Sequence, residues 1–195
     1  MKTIYLIRHG KASLEGSELE RGLTDEGIKH ALQITEILKK LEPKINKIYS
    51  SPLRRAILTI EPTANFLKTE IHIIEGLKEK LTGDISGKNL NEEKRKMWDD
   101  FDAKLPGAES SKEATERAIS ALNNIKNQLS EGSAAAVQSH GTLIALILHH
   151  FNPNFGFTEW KNMTMPDIYK ISFENENAKV EHIGCENIET FKIKN

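Results

Sequence analysis

Arg8-His9-Gly10, Arg54-Arg55 and His140-Gly141 are three separated clusters of side chains with the chemistry of phosphoryl binding and transfer. Guanidinium forks match phosphoryl oxygens in pairs. Gly10 and Gly141 let backbone approach a ligand with no side chain in the way. The chain has no cysteine beside a basic loop, no Walker A loop and no cluster of metal-binding carboxylates, so no metal and no cofactor is expected. Histidine is the nucleophile that remains. Beside arginines an imidazole stays neutral, because like charge disfavours its protonated form, and it keeps a lone pair for attack on phosphorus. The expected reaction has two steps, phosphoryl transfer to His9 and then attack by water, with His140 and the arginines steadying the spread charge.

These residues lie far apart in sequence, so the fold must bring them together. Ile4-Tyr5-Leu6-Ile7 is an unbroken apolar run, which suits a strand covered on both faces and ending at Arg8-His9-Gly10. Thr24 caps a helix with Asp25 and Glu26 in its first turn. Ile28, Ala31, Leu32, Thr35, Leu38 and Leu41 form its expected buried stripe, and Pro43 ends it. Lys47 to Ser50 reads as a second strand. Ser51-Pro52 then predicts an N-cap and a first-position proline, which puts Arg54 and Arg55 in the first turn of a helix. Two cations there oppose the helix dipole unless an anion offsets them.

Ile71 to Ile74 reads as a third strand, and a helix is expected over Asn91 to Phe101. Ser110 to Glu113 is a capping box for a helix lined by Ala114, Ala118, Ala121, Leu122, Ile125 and Leu129, with Gly132 as its stop. Ala134 to Val137 repeats the N-terminal plan: strand, His140-Gly141, then an apolar helix over Leu143 to His150. Ile168 to Phe173 and Lys179 to Ile183 predict a hairpin at the sheet edge. The alternation of strands and helices gives an α/β layered fold. In such sheets ligands bind beyond the carboxyl ends of the strands, where Arg8, His9, Arg55 and His140 would converge.

In chain order, Arg8-His9-Gly10, Leu23-Thr24-x-x-Gly27, Ser50-Ser51-Pro52-Leu53-x-Arg55-Ala56 and Ser139-His140-Gly141 together resemble the histidine phosphatase superfamily, which includes the cofactor-dependent phosphoglycerate mutases. The resemblance runs from Lys2 to about Leu148. It implies a phosphoglycerate mutase-like three-layer αβα sandwich around a mostly parallel sheet. It implies His9 as the phosphorylated nucleophile and Arg8, Arg55 and His140 as the phosphate pocket, with Arg54 at a variable position. The segment Leu77 to Gly83 looks like the one that carries the proton donor, with Glu79 as the candidate and Glu75 as the fallback. Thr82 stands where the mutases carry Tyr, and the chain is too short for their C-terminal lid. The resemblance therefore points to a metal-independent phosphomonoesterase of the histidine acid phosphatase type, acting on a small phosphorylated metabolite. His30 replaces a common Gln, and Lys11 to Glu15 lacks the usual hydroxyl and asparagine, which keeps a phosphoprotein substrate open. Mutase-type transfer and a non-catalytic phospholigand-binding module are the remaining alternatives.

Lys plus Arg (27) against Asp plus Glu (28) leaves a net charge of −1. No global positive field draws the protein to nucleic acid or an anionic membrane. The apolar start is cut short by Arg8 and His9, so it reads as a strand rather than a secretory leader. Leu143 to Leu148 is far too short to span a bilayer, and serves equally in a core or in a homo-oligomer interface. Cys185 has no partner for an internal disulfide, which suits a reducing compartment and predicts a cytoplasmic protein. At 195 residues the chain is expected to form one domain, 1–195, with an insertion over about 75–107. His149-His150, Asp99-Asp100-x-Asp102 and Asn162-Met163-Thr164 read as structural or surface features.

Overall fold

A computed structural model of the chain describes residues 1–84, 86–87, 89–174 and 177–185. In chain order the elements are β1 (Lys2–Arg8), α1 (Asp25–Leu38), β2 (Ile45–Ser50), α2 (Arg54–Leu67), β3 (Ile71–Ile73), α3 (Leu90–Asp99), α4 (Ser111–Asn127), β4 (Ala134–Ser139), α5 (Gly141–Phe151), α6 (Phe157–Asn162), β5 (Asp167–Glu174) and β6 (Asn177–His182). A short 3₁₀ turn, Glu75–Leu77, follows β3. The strands form one sheet in the order β3-β2-β4-β1-β5-β6. The first four of that order are mutually parallel, whereas β5 runs antiparallel to both β1 and β6.

Alternation along the strands builds two cores. Ile4, Leu6, Ala135 and Val137 face α4 and α5, while Tyr5, Ile7, Ala134 and Ala136 face α1 and α2. The result is a three-layer αβα sandwich. Its central strands are buried on both faces, and this is why β1 and β4 read as continuous apolar runs.

Local signals hold at several helix starts. Thr24 Oγ1 accepts the Gly27 N–H at 3.1 Å. Ser110 and Glu113 exchange both bonds of the capping box, at 3.1 and 2.8 Å. Other expectations need correction. In α1, Ile28 and Leu32 are 53% and 51% exposed, and the buried face is Ala31, Ile34, Thr35, Ile37 and Leu38. The helix is rotated because it packs on α2 as well as on the sheet, with Thr35 Oγ1 bonded to Thr63 Oγ1 of α2 at 2.9 Å. Helix α2 begins at Arg54 with Leu53 as N-cap, not at Ser51-Pro52. Ser51 Oγ instead accepts the Leu53 N–H and meets the His140 ring. Helix α4 ends at Asn127, and Gly132 takes a positive φ of 77° in the turn into β4.

Register decides where the site lies. Arg8 pairs with Ser139 across β1 and β4, and Ser50 pairs with Gln138 across β2 and β4. The carboxyl ends of these three strands are therefore level at one edge of the sheet.

Candidate active site

His9 follows β1 and is 8% exposed. Its Nδ1 lies 2.7 Å from the Gly10 carbonyl oxygen. A carbonyl only accepts, so Nδ1 carries the proton and Nε2 keeps the lone pair. Arg55 Nε approaches that Nε2 at 3.4 Å. The His9 pKa is pushed down from 6.5 to about 3, first by burial and then by the charges of Arg55, Arg8 and Arg21, against the opposing bond to Gly10. The ring is neutral at physiological pH, with its lone pair directed toward cations.

His140 follows β4 as the N-cap of α5, and its ring centroid is 5.2 Å from that of His9. It is fully buried, which with its charged neighbours holds its pKa well below the ordinary range. Nε2 meets Ser51 Oγ at 2.8 Å. When the Ser51 hydroxyl donates there, the proton of the neutral ring sits on Nδ1. Buried side-chain atoms with no hydrogen-bond partner among the described residues include His140 Nδ1, Arg8 Nε and Arg21 Nε. Buried polar atoms are nearly always paired in folded proteins, so these three are exceptions.

Each arginine is held by backbone carbonyls from a distant segment. Arg8 Nη1 donates to the carbonyls of Met163 and Thr164, each at 2.9 Å, in the loop after α6. Arg55, 1% exposed, donates through Nη1 to the Glu18 carbonyl at 2.9 Å and through Nη2 to Glu18 Oε1 at 2.5 Å. Arg54, one residue earlier on α2, points to solvent. A helix turns about 100° per residue, so only one of two adjacent arginines can face the pocket.

The structure places protein next to both glycines. A Cβ on Gly141 would lie 2.9 Å from Arg8 Nε and 3.0 Å from Arg8 Cζ, so the absent side chain makes room for the guanidinium. A Cβ on Gly10 would lie 2.8 Å from the Gly27 carbonyl oxygen, and the Gly10 N–H is already bonded to Thr59 Oγ1 at 3.0 Å. Gly10 serves the seat of α1, and Gly141 serves Arg8.

Glu79 reaches the start of α5. Its Oε2 accepts the Thr142 N–H at 3.1 Å, and its Oε1 accepts those of Leu143 and Lys80 at 3.0 and 2.9 Å. Arg117 braces this segment, donating to the carbonyls of Gly76 and Glu79 at 2.8 and 3.4 Å while paired with Glu109. Glu75, by contrast, is exposed and paired with Lys78 at 2.6 Å.

Two further cations escape a reading by sequence. Arg21, in the loop between β1 and α1, acts electrostatically on both histidines and on Arg55. Lys94 of α3 rests over the Trp160 ring at 4.6 Å. Burial lowers its pKa, and the charges of Glu79 and Arg8 act on it in opposite senses. The one signal for Arg21 is its place just before the Leu23-Thr24 helix start; nothing local marks Lys94. Among the described residues no three His, Cys, Asp or Glu side chains are grouped as metal ligands. No helix among them is long and apolar enough to cross a membrane.

The sequence profile of the histidine phosphatase superfamily (branch 1) matches residues 4–186. A 2,3-bisphosphoglycerate-dependent phosphoglycerate mutase from Brucella anthropi is 26% identical over 200 residues, spanning 92% of this chain and 97% of the relative. A putative phosphoserine phosphatase 2 from Hydrogenobacter thermophilus is 29% identical over 161 residues, 75% of this chain and 77% of the relative. Among solved structures, a phosphoserine phosphatase from Entamoeba histolytica in complex with phosphoserine superposes with a TM-score of 0.76 at 22% identity, over 95% of this chain and 98% of that one. A mycobacterial glucosyl-3-phosphoglycerate phosphatase gives 0.74 at 19% identity, over 92% and 97%.

Proposed function

The chain belongs to the histidine phosphatase superfamily, and from that membership and the pocket geometry we propose that it is a metal-independent phosphomonoesterase working through phospho-His9. His9 Nε2 attacks phosphorus as the bond from phosphorus to the leaving oxygen breaks, and Glu79 gives a proton to that oxygen. Arg8, Arg55 and the His140 N–H hold the three spread oxygens. In the second step Glu79 takes a proton from water, the water oxygen attacks phosphorus, and the P–N bond breaks. Inorganic phosphate leaves, His9 is neutral again, and Glu79 has recovered its proton.

The observation that carries this reading is the state of His9. It is a neutral imidazole with Nδ1 tied to a carbonyl and Nε2 met only by a long 3.4 Å contact from Arg55 Nε, in a buried setting whose charges come from Arg55, Arg8 and Arg21. A small substrate is favoured by relatives named for phosphoserine and phosphoglycerate. Lys94, close enough to Glu79 and Arg8 to feel both charges, is the cation we assign to a second acidic group of the substrate. Phosphate release from p-nitrophenyl phosphate by the purified protein in EDTA tests the reading. Activity that survives His9→Ala excludes His9 as nucleophile, and activity lost to EDTA excludes the metal-independent route.

Mutase-type transfer is the second reading, favoured by a match along almost the whole Brucella enzyme. It requires transfer stimulated by 2,3-bisphosphoglycerate with little net phosphate release, which the same assay distinguishes.

A further inference from the structure

Glu18 has no place in the reaction above, yet it makes more contacts to the phosphate pocket than any surface carboxylate needs. Its side chain is 60% exposed, and it lies in the loop between β1 and α1. An exposed ion pair of this kind ordinarily contributes little. Here, however, one residue grips a guanidinium that is almost wholly buried, with its carbonyl on Arg55 Nη1 and its Oε1 on Nη2. Its second carboxylate oxygen pairs with Arg21 Nη2 at 2.6 Å. The loop itself is fixed: the Leu19 carbonyl accepts the Arg54 N–H, Gly22 accepts from Ser13, and Arg21 N–H bonds back to Ser17.

The geometry of a guanidinium gives this grip a consequence. Its five N–H groups lie in one plane, two edges of which each present a pair of donors. Glu18 takes the outer edge of Arg55, formed by Nη1 and Nη2. The lateral edge, formed by Nε and the second hydrogen of Nη2, is turned to His9, whose Nε2 accepts from Nε at 3.4 Å. That lateral edge is the one a phosphoryl group on Nε2 would meet. Arg21 meets Glu18 through Nη2, and its buried Nε has no partner among the described residues. Arg21 and Arg55 also repel each other, and a carboxylate bridging them offsets that repulsion.

We propose that Glu18 is a positioning residue of the phosphoryl site, which holds Arg55 and Arg21 by their outer edges so that their remaining donors face His9. The proposal rests on the phosphate-pocket reading above. It differs from the obvious alternative, in which the Glu18 carboxylate competes with phosphate for the same donors.

Binding of inorganic phosphate and orthovanadate to wild type, Glu18→Ala and Glu18→Gln, measured by calorimetry, tests it without requiring turnover. Loss of the aimed guanidinium edges should weaken phosphate binding about tenfold or more in Glu18→Ala. Glu18→Gln should fall between, because its amide oxygen can still meet Arg55 while its NH₂ group opposes Arg21. Melting temperature should fall in Glu18→Ala, because the buried Arg55 guanidinium keeps the Glu18 carbonyl but loses its carboxylate partner, so binding is measured well below the transition. Tighter phosphate binding in Glu18→Ala would make Glu18 a competitor and overturn the proposal. Unchanged binding would reduce the contact to a surface ion pair and overturn it equally. Wild type that binds no phosphate removes the pocket reading and this proposal together. Wild type that binds phosphate, with the expected variant series but no ester hydrolysis, removes only the phosphatase reading.

Discussion

The two His-Gly junctions leave neighbouring parallel strands at the same edge of the sheet, and their registers are level. They nonetheless give their histidines opposite surroundings. After His9 the chain runs through a loop before α1, the ring ties its Nδ1 to the next carbonyl, and Nε2 faces Arg55 without a strong partner. After His140 the helix α5 begins at once, the ring is sealed from solvent, and Nε2 is tied to Ser51. One junction frees a lone pair and the other fixes a ring. The difference comes from what packs against each ring, because the dipeptides are the same. A nucleophile needs an unoccupied nitrogen, whereas a residue that steadies charge needs one nitrogen anchored so that the other is aimed.

Removing each ring is the strongest way to break the comparison. His9→Ala should lower kcat by about 10⁴-fold or more, since no other group can form the covalent intermediate. His140→Ala should cost about 10² to 10³-fold, the scale of losing one stabilising donor. Equal losses at both sites, measured with p-nitrophenyl phosphate, would erase the distinction between the junctions. The glycines sharpen it next. Gly141→Ala pushes on Arg8 and should cost about 10²-fold in kcat/KM through misplacement of the guanidinium. Gly10→Ala meets the Gly27 carbonyl instead and should appear mainly as lost stability in urea denaturation.

Acid offers a third separation. With a folded pKa near 3 against 6.5 unfolded, His9 takes up protons more readily in the unfolded chain between those values. Its contribution to stability is therefore complete above pH 6.5 and is lost as pH falls toward 3, by about 1.4 kcal/mol per pH unit for this one group. The His140 pKa is displaced in the same direction. His9→Gln should flatten the fall in urea stability between pH 6.5 and 4.5, and a curve identical to wild type would mean that the His9 ring is solvated. The smallest expected effect is that of Lys94→Met, a rise in KM of about five- to tenfold for an ester with an acidic leaving group and no change for a neutral one.

Much of the frame was legible from short-range patterns. The Thr24 cap, the Ser110 capping box and the buried strand runs of β1 and β4 depend on residues within a few positions of one another. Residue types and motif order also pointed to His9, Arg8, Arg55 and His140, and the structure brings these four to one edge of the sheet. Reading failed where a side chain answers to a distant partner. Ser51 has the pattern of a helix cap but is turned to His140, 89 positions away. Ile28 and Leu32 follow the period of α1 but lie off the face chosen by packing on α2. Glu18 belongs to a loop and Lys94 to the expected helix over Asn91 to Phe101, and only the return of α2 and α6 shows what they face.

By itself, then, the chain determined the kinds of element and the superfamily, because propensity, capping and motif order are written in neighbouring residues. Which of two adjacent arginines turns to His9, which ring nitrogen meets it, what each glycine makes room for and which carboxylate grips the guanidinium groups were decided by tertiary packing. These depend on rotation about helix axes and on contacts between residues far apart along the chain, which a linear order of side chains does not specify.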